Sequence, residues 1–305
     1  MSTRRTFLPI LAAAATPLPA SAATRRVIDT HTHFYDPARS QGVPWPPKTD
    51  PLLYRRVLPN EFQQLTKGHG VVGTVVVEAS PWFEDNQWIL DLALEYPILC
   101  GLIGHLEPGA QGFAGKLGML TKNRLFRGIR LNGDAIAKGL ADTTFVSDIQ
   151  RLADKGLVLD AIGGPEMFAS LVGLLDRVPK LKICINHLPF DPIQDPAAQA
   201  GARSAMAELG RRPHVYAKVS GVLRKRNDSV PNRADAYRPQ LDELWKTFGS
   251  KRLIYGSNWP VSNRLADYAT VIGVVREYFE GKGSSAAQNY FYRNSQDCYQ
   301  WIKRR

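Results

Sequence analysis

Cysteine is scarce in this sequence: Cys100, Cys184 and Cys298 are the three in 305 residues. Three cannot build a full disulfide framework. Each lies in an apolar strand-like or helical stretch, which points to buried free thiols. Acidic residues are also short, with 28 Asp+Glu against 39 Lys+Arg and a formal charge of +11. The basic residues are scattered, clustering only briefly at "LRKRND" and the terminal "KRR". No dense basic run interleaves with aromatics, which argues against a nucleic-acid surface and for a solvated one able to steer acidic small molecules. No apolar run is long enough to span a membrane. No internal repeat or linker breaks the chain, and no Gly-rich phosphate loop follows the first strand pattern, against an open dinucleotide-binding sheet.

What is present begins with a leader. Arg4 and Arg5 are followed by Thr6, Phe7 and Leu8, a short Pro-broken apolar run, and "ASA" at 20–22. Residues 1–22 therefore read as an export signal of the twin-arginine type, and periplasmic or other exported localisation is expected. Residues 23–305 read as one domain.

Strand and helix patterns then alternate. "RVIDTHTH", "VVGTVVVEAS", "ILCGLIGHLEP", "FRGIRLNG", "GLVLDAIGG", "KICINHLPF", "HVYAKVSG" and "RLIYGSNWP" are eight strand candidates. Several are Val/Ile/Leu-rich without alternation, as in strands covered on both faces. Between them lie helical patterns such as "NQWILDLALEYP", "FVSDIQRLADKG" and "RPQLDELWKTFG", ended by Pro or Gly. Eight β–α alternations predict an α/β fold of the (β/α)8 TIM-barrel kind, distorted by a long loop after strand 1 (34 to about 61) and an extra C-terminal helix.

In such a barrel, chemistry sits at the carboxyl ends of the strands. His31 and His33, two apart, share one face of strand 1, roughly 6.5 Å apart along the chain. Strand 2 ends on Glu78, strand 3 on His105 and Glu107, strand 4 carries Arg127 and Arg130, and strand 5 Asp160. Strand 6 offers Asn186 and His187, strand 7 Lys218 and Ser220, strand 8 Ser257, Asn258 and Trp259. Lys218 reads as an inward ion-pair partner. Three of the six histidines fall on strands 1 and 6, where they can meet across the barrel.

"DTHTHFYDP", "FRGIRLNG", "INHLPF", "VYAKVSG" and "YGSNWPVS", in that order, resemble the amidohydrolase-related (amidohydrolase 2) family. The branch of sugar-acid and pyrone-dicarboxylate lactonases looks closest. The resemblance implies a hydrolase of a cyclic ester, or a related decarboxylation or isomerisation; the working expectation is water attack on a carbonyl polarised by His31 and His33. It implies His187 across the site, and Asn258 where the family usually carries an aspartate. It leaves the cofactor open: His31 and His33 hold one divalent metal, zinc or manganese, or the site works without metal. Strand 5 lacks the histidine of metal-dependent members and offers Asp160. Asn258 cannot take a proton at neutral pH, so His187, Glu78 and Asp160 are the candidate bases. Arg130 and Arg127 are expected to hold a carboxylated or polyhydroxylated small molecule, with His105, Trp45 and Trp259 as further lining. Two other readings stay open: a metal-dependent decarboxylase or lyase on the same barrel, and a non-catalytic binder in which Asn258 has replaced the base. The oligomeric state is not fixed by the sequence.

Overall fold

The computed structural model describes residues 26–187 and 194–304. The expected export signal and the end of the strand-6 motif, 188–190, lie outside the described residues. Eight parallel strands follow one another around a single sheet: β1 (Val27–Thr32), β2 (Val71–Val77), β3 (Leu99–Gly104), β4 (Phe126–Asn132), β5 (Val158–Ile162), β6 (Lys182–Ile185), β7 (Val215–Val219) and β8 (Leu253–Tyr255). The sheet curls until its edges meet. Thr32 bridges Trp259, the Asn258 N–H donates to the His31 carbonyl at 2.8 Å, and the His33 N–H donates to Trp259 at 2.9 Å. Side chains complete this seam: the Asp29 carboxylate accepts the Ser257 N–H at 2.9 Å, and the Thr30 hydroxyl donates to the Tyr255 carbonyl at 2.6 Å. Burial raises the Asp29 pKa to about 6. The result is the distorted (β/α)8 barrel that the alternation predicts.

Two apolar cores explain the unbroken hydrophobic strands. One lies between sheet and helices and includes Ile129, Leu131, Ile183 and Ile185. The other fills the barrel with Ile28, Val75, Val77, Ile103, Val158, Cys184 and Ile254, and is shared by Cys298, Tyr299 and Trp301 from the chain's end. All three cysteines are buried and free. Gly128 shows how tightly the strands pack: a Cβ there would meet the Val158 carbonyl oxygen at 2.0 Å.

The sequence patterns overrun several elements. The last helix ends at Tyr299, Gln300 takes a left-handed φ of 50°, and the tail runs non-helically, with Ile302 N–H on the Cys100 carbonyl. A Gly-interrupted helix, Phe113–Leu120, and the Ala-rich helix Pro196–Arg211 carry little sequence signal; the second buries only Met206 and Leu209. No helix among the described residues is long and apolar enough to cross a membrane.

Candidate functional site

The barrel brings three imidazoles together. The His31 ring lies 5.0 Å from His33 and 4.6 Å from His187, between ring centroids. The pairing of β1 with β2 shifts register between Asp29 and Thr32, and His33 follows just past the strand. His187 and Asn258 sit where the chain leaves β6 and β8, both at positive φ (65° and 63°). This region is costly for residues other than glycine and tends to persist at functional sites.

A cavity of about 440 Å³ opens above them, lined by His33, His187, Asn258, Glu78, Arg130, His105 and Trp45 among others. Trp45 comes from the long loop after β1, and its ring stands 5.9 Å from that of His33. A short bridge between Tyr35 and Val57 and the Asp50–Arg264 ion pair hold that loop against the barrel. The predicted residues therefore converge from β1, β2, β3, β4, β6 and β8, as a carboxyl-edge site requires.

Hydrogen bonds fix what each group can do. The His33 Nδ1–H donates to the Val77 carbonyl at 3.0 Å, because a carbonyl only accepts. In the neutral ring Nε2 then carries a lone pair. The His187 Nδ1 is 3.0 Å from the Ser220 hydroxyl, which also accepts the His187 N–H. Among the described residues, neither ring nitrogen of His31 has a hydrogen-bond partner. Burial, then the Arg130 charge, lowers the pKa of His33 and of His187 to about 3. Burial, then Lys218, drives His31 well below its usual value. All three are thus neutral at pH 7. Arg130 grips Glu78 twice, through Nε to the carboxylate and Nη2 to the backbone carbonyl, both at 2.8 Å. Two of its five N–H groups are engaged there, which leaves others to face the cavity.

Three predicted residues are not brought to the cavity. Asp160 is fully buried in the barrel, paired with Lys218 at 2.7 Å and with the Tyr299 hydroxyl at 2.8 Å. A carboxylate held by a cation and a phenol has no route to a proton in the cavity. Arg127 lies near the amino end of β4, opposite the site, and donates to the carbonyls of Tyr299 and Arg124. Trp259 is fully buried between Phe34 and Phe62, as core. His105 does line the cavity, with its Nε2 3.7 Å from Glu107. Lys218 forms the inward ion pair that its strand position suggests. Tyr299 escaped the sequence reading because no spacing links residue 299 to strand 5; only the folded tail brings it there.

The donors do not make a metal centre. Among the described residues, no group of three or more His, Cys, Asp or Glu converges to hold an ion. Asp160 and Glu78 are already paired with cations, and Asn258 supplies an amide where a carboxylate would neutralise the metal's charge. A catalytic zinc normally takes three protein ligands. Without a metal, neutral His33 cannot polarise a carbonyl, since its one N–H faces Val77.

A family model described as amidohydrolase matches residues 28–300. An L-fucono-1,5-lactonase of Burkholderia ambifaria is 32% identical over 249 residues, covering 79% of this chain and 82% of that protein. A second L-fucono-1,5-lactonase, from Burkholderia multivorans, is 26% identical over 274 residues, covering 86% of this chain and 91% of its own. Among solved structures, an amidohydrolase from Burkholderia multivorans with bound zinc superposes with a TM-score of 0.77 at 23% identity, covering 90% of this chain and 99% of that one.

Proposed function

The chain belongs to the amidohydrolase family, and from that premise we propose that it hydrolyses the lactone of a sugar acid or a related carboxylate. The observation that carries this reading is the convergence of His33, His187, Asn258 and Arg130 on one carboxyl-edge cavity, with His31 packed against the two imidazoles. The lactonase activity of the related Burkholderia proteins supports the ester class.

In the proposed reaction a water oxygen bonds to the lactone carbonyl carbon. The lone pair on His33 Nε2 takes the water's proton, and the Asn258 amide orients the water. Charge grows on the former carbonyl oxygen, where Arg130 and His187 stabilise it; one such donor is worth on the order of 10² to 10³ in turnover. The ring C–O bond then breaks. The leaving alkoxide takes the proton from His33, and an open-chain hydroxy acid departs. Glu78 holds Arg130 in place, while Trp45 and His105 wall the substrate. Arg130 suits a carboxylated or hydroxyl-rich substrate, because a guanidinium matches such oxygens with paired N–H groups. Residues 23–305 act as one domain, and the leader directs the protein out of the cytoplasm.

The test is proton release in a pH-indicator screen of sugar-acid lactones, with and without chelator. Hydrolysis that survives the chelator supports the reading. Turnover only with added zinc or manganese returns the metal to the mechanism. Lactone binding without turnover, restored to turnover by Asn258→Asp, favours the non-catalytic binder.

A further inference from the structure

Below the cavity lies a second set of polar groups that the reaction above does not use. Asn186 is fully buried, and among the described residues neither its amide oxygen nor its amide nitrogen has a hydrogen-bond partner. His31, also fully buried, lacks a partner among the described residues at both ring nitrogens. Both face the barrel interior, on either side of Lys218. Along β6, Ile183 and Ile185 pack in the outer core and Cys184 in the inner one, so the next residue, Asn186, faces the barrel interior. Its N–H continues the ladder to the Ala161 carbonyl at 2.8 Å. The β6–β7 register pairs Ile185 with Ala217, which sets Asn186 alongside Lys218. Lys218 in turn shares a wall with His31: a Cβ at Gly256 would meet His31 Cβ at 2.7 Å and Lys218 Cδ at 3.2 Å.

Buried amides and imidazoles without partners are rare, because each lost hydrogen bond leaves a desolvated polar atom. Four such atoms facing one interior point to a polar guest small enough to fit beneath the substrate, and water is the guest that can both donate and accept. We propose that Asn186 is a positioning residue, which holds His31 in one tautomer and one orientation through a bridging buried water. The amide offers both an N–H donor and an oxygen acceptor, so the water it holds can present whichever group the His31 ring needs. His31 packs between His33 and His187, and a ring fixed from below keeps those two imidazoles at their spacing. This inference goes beyond the lactonase reading and does not need its substrate to be tested.

Two measurements decide it. A high-resolution crystal structure of the whole protein should show a water within hydrogen-bond distance of both the Asn186 amide and a His31 ring nitrogen. Nitrogen-15 NMR of the imidazoles, with the His31 signals identified by their loss in His31→Gln, should show a single tautomer. In Asn186→Leu that signal should become a tautomer mixture, and Asn186→Ser, which can hold the water, should restore it. On a hydrolysed lactone, kcat of Asn186→Leu should fall about tenfold or more with KM little changed. A crystal structure with nothing bridging the two side chains overturns the proposal, even where the leucine variant does not fold. So does an unchanged His31 spectrum in folded Asn186→Leu. Failure of every lactone in the activity assay counts against the proposed function and leaves both of these readouts intact.

Discussion

The two ends of the barrel interior treat buried polar groups in opposite ways. Toward the end closed by the C-terminal tail, the charges are paired within the protein: Asp160 meets Lys218 and the Tyr299 hydroxyl, and the Lys218 ammonium lies 5.2 Å from the Tyr299 ring centre. At the carboxyl edge, His31 has no hydrogen-bond partner among the described residues, and the Nδ1 atoms of His33 and His187 are each held by a hydrogen bond. The contrast separates residues that secure the barrel from residues whose hydrogen-bonding capacity is kept for a ligand. It also explains why Asp160, a plausible base by strand position, is a structural group.

Acid should break the comparison most severely. His33 and His187 have folded pKa values near 3 against an ordinary 6.5, and His31 is lowered too, so the unfolded chain binds the extra protons. Stability should hold above about pH 6.5 and fall as pH drops toward 3, by roughly 1.4 kcal/mol per pH unit for each histidine. Asp29, raised from 3.8 to about 6, works the other way: its contribution grows as pH falls from about 6 to 3.8 and is fully present below 3.8. Denaturant melts across pH 3–8 measure the net slope, which should flatten in His187→Gln.

Breaking the paired end comes next. Lys218→Met leaves Asp160 buried and unpaired and should cost about 3–5 kcal/mol in urea unfolding. The double variant Asp160→Asn with Lys218→Met should recover much of that loss. Arg130→Met, by contrast, should lower kcat/KM on a lactone by about 10² to 10³, equivalent to roughly 2.7–4 kcal/mol of barrier, because it removes a contact at the open end. The smallest expected effect is Tyr299→Phe. It removes one buried hydrogen bond to a carboxylate, for about 1.5–3 kcal/mol of stability, and activity measured on the folded protein should change little.

The strands were legible because several, such as β2 and β3, are covered on both faces and therefore read as nearly continuous apolar runs. The histidines were legible because strand ends in a parallel barrel define one rim, so His31, His33 and His187 could be placed together from order alone. The directions of other side chains were not legible. Arg127 and Arg130 share one strand, yet three residues along β4 separate the tail-binding end from the site. The tail's route under the barrel depends on long-range packing that no local pattern encodes, and with it went the Tyr299 hydroxyl that joins Lys218 on Asp160. The unpartnered state of Asn186 is likewise a property of the folded interior; its sequence position beside His187 says nothing of it.

The most direct test of the claim that the open end is a hydrolytic site is proton release from sugar-acid lactones by the parent protein and by folded His187→Ala. The account predicts measurable release by the parent and a loss of at least about a hundredfold in the variant. Undiminished release by His187→Ala would contradict it.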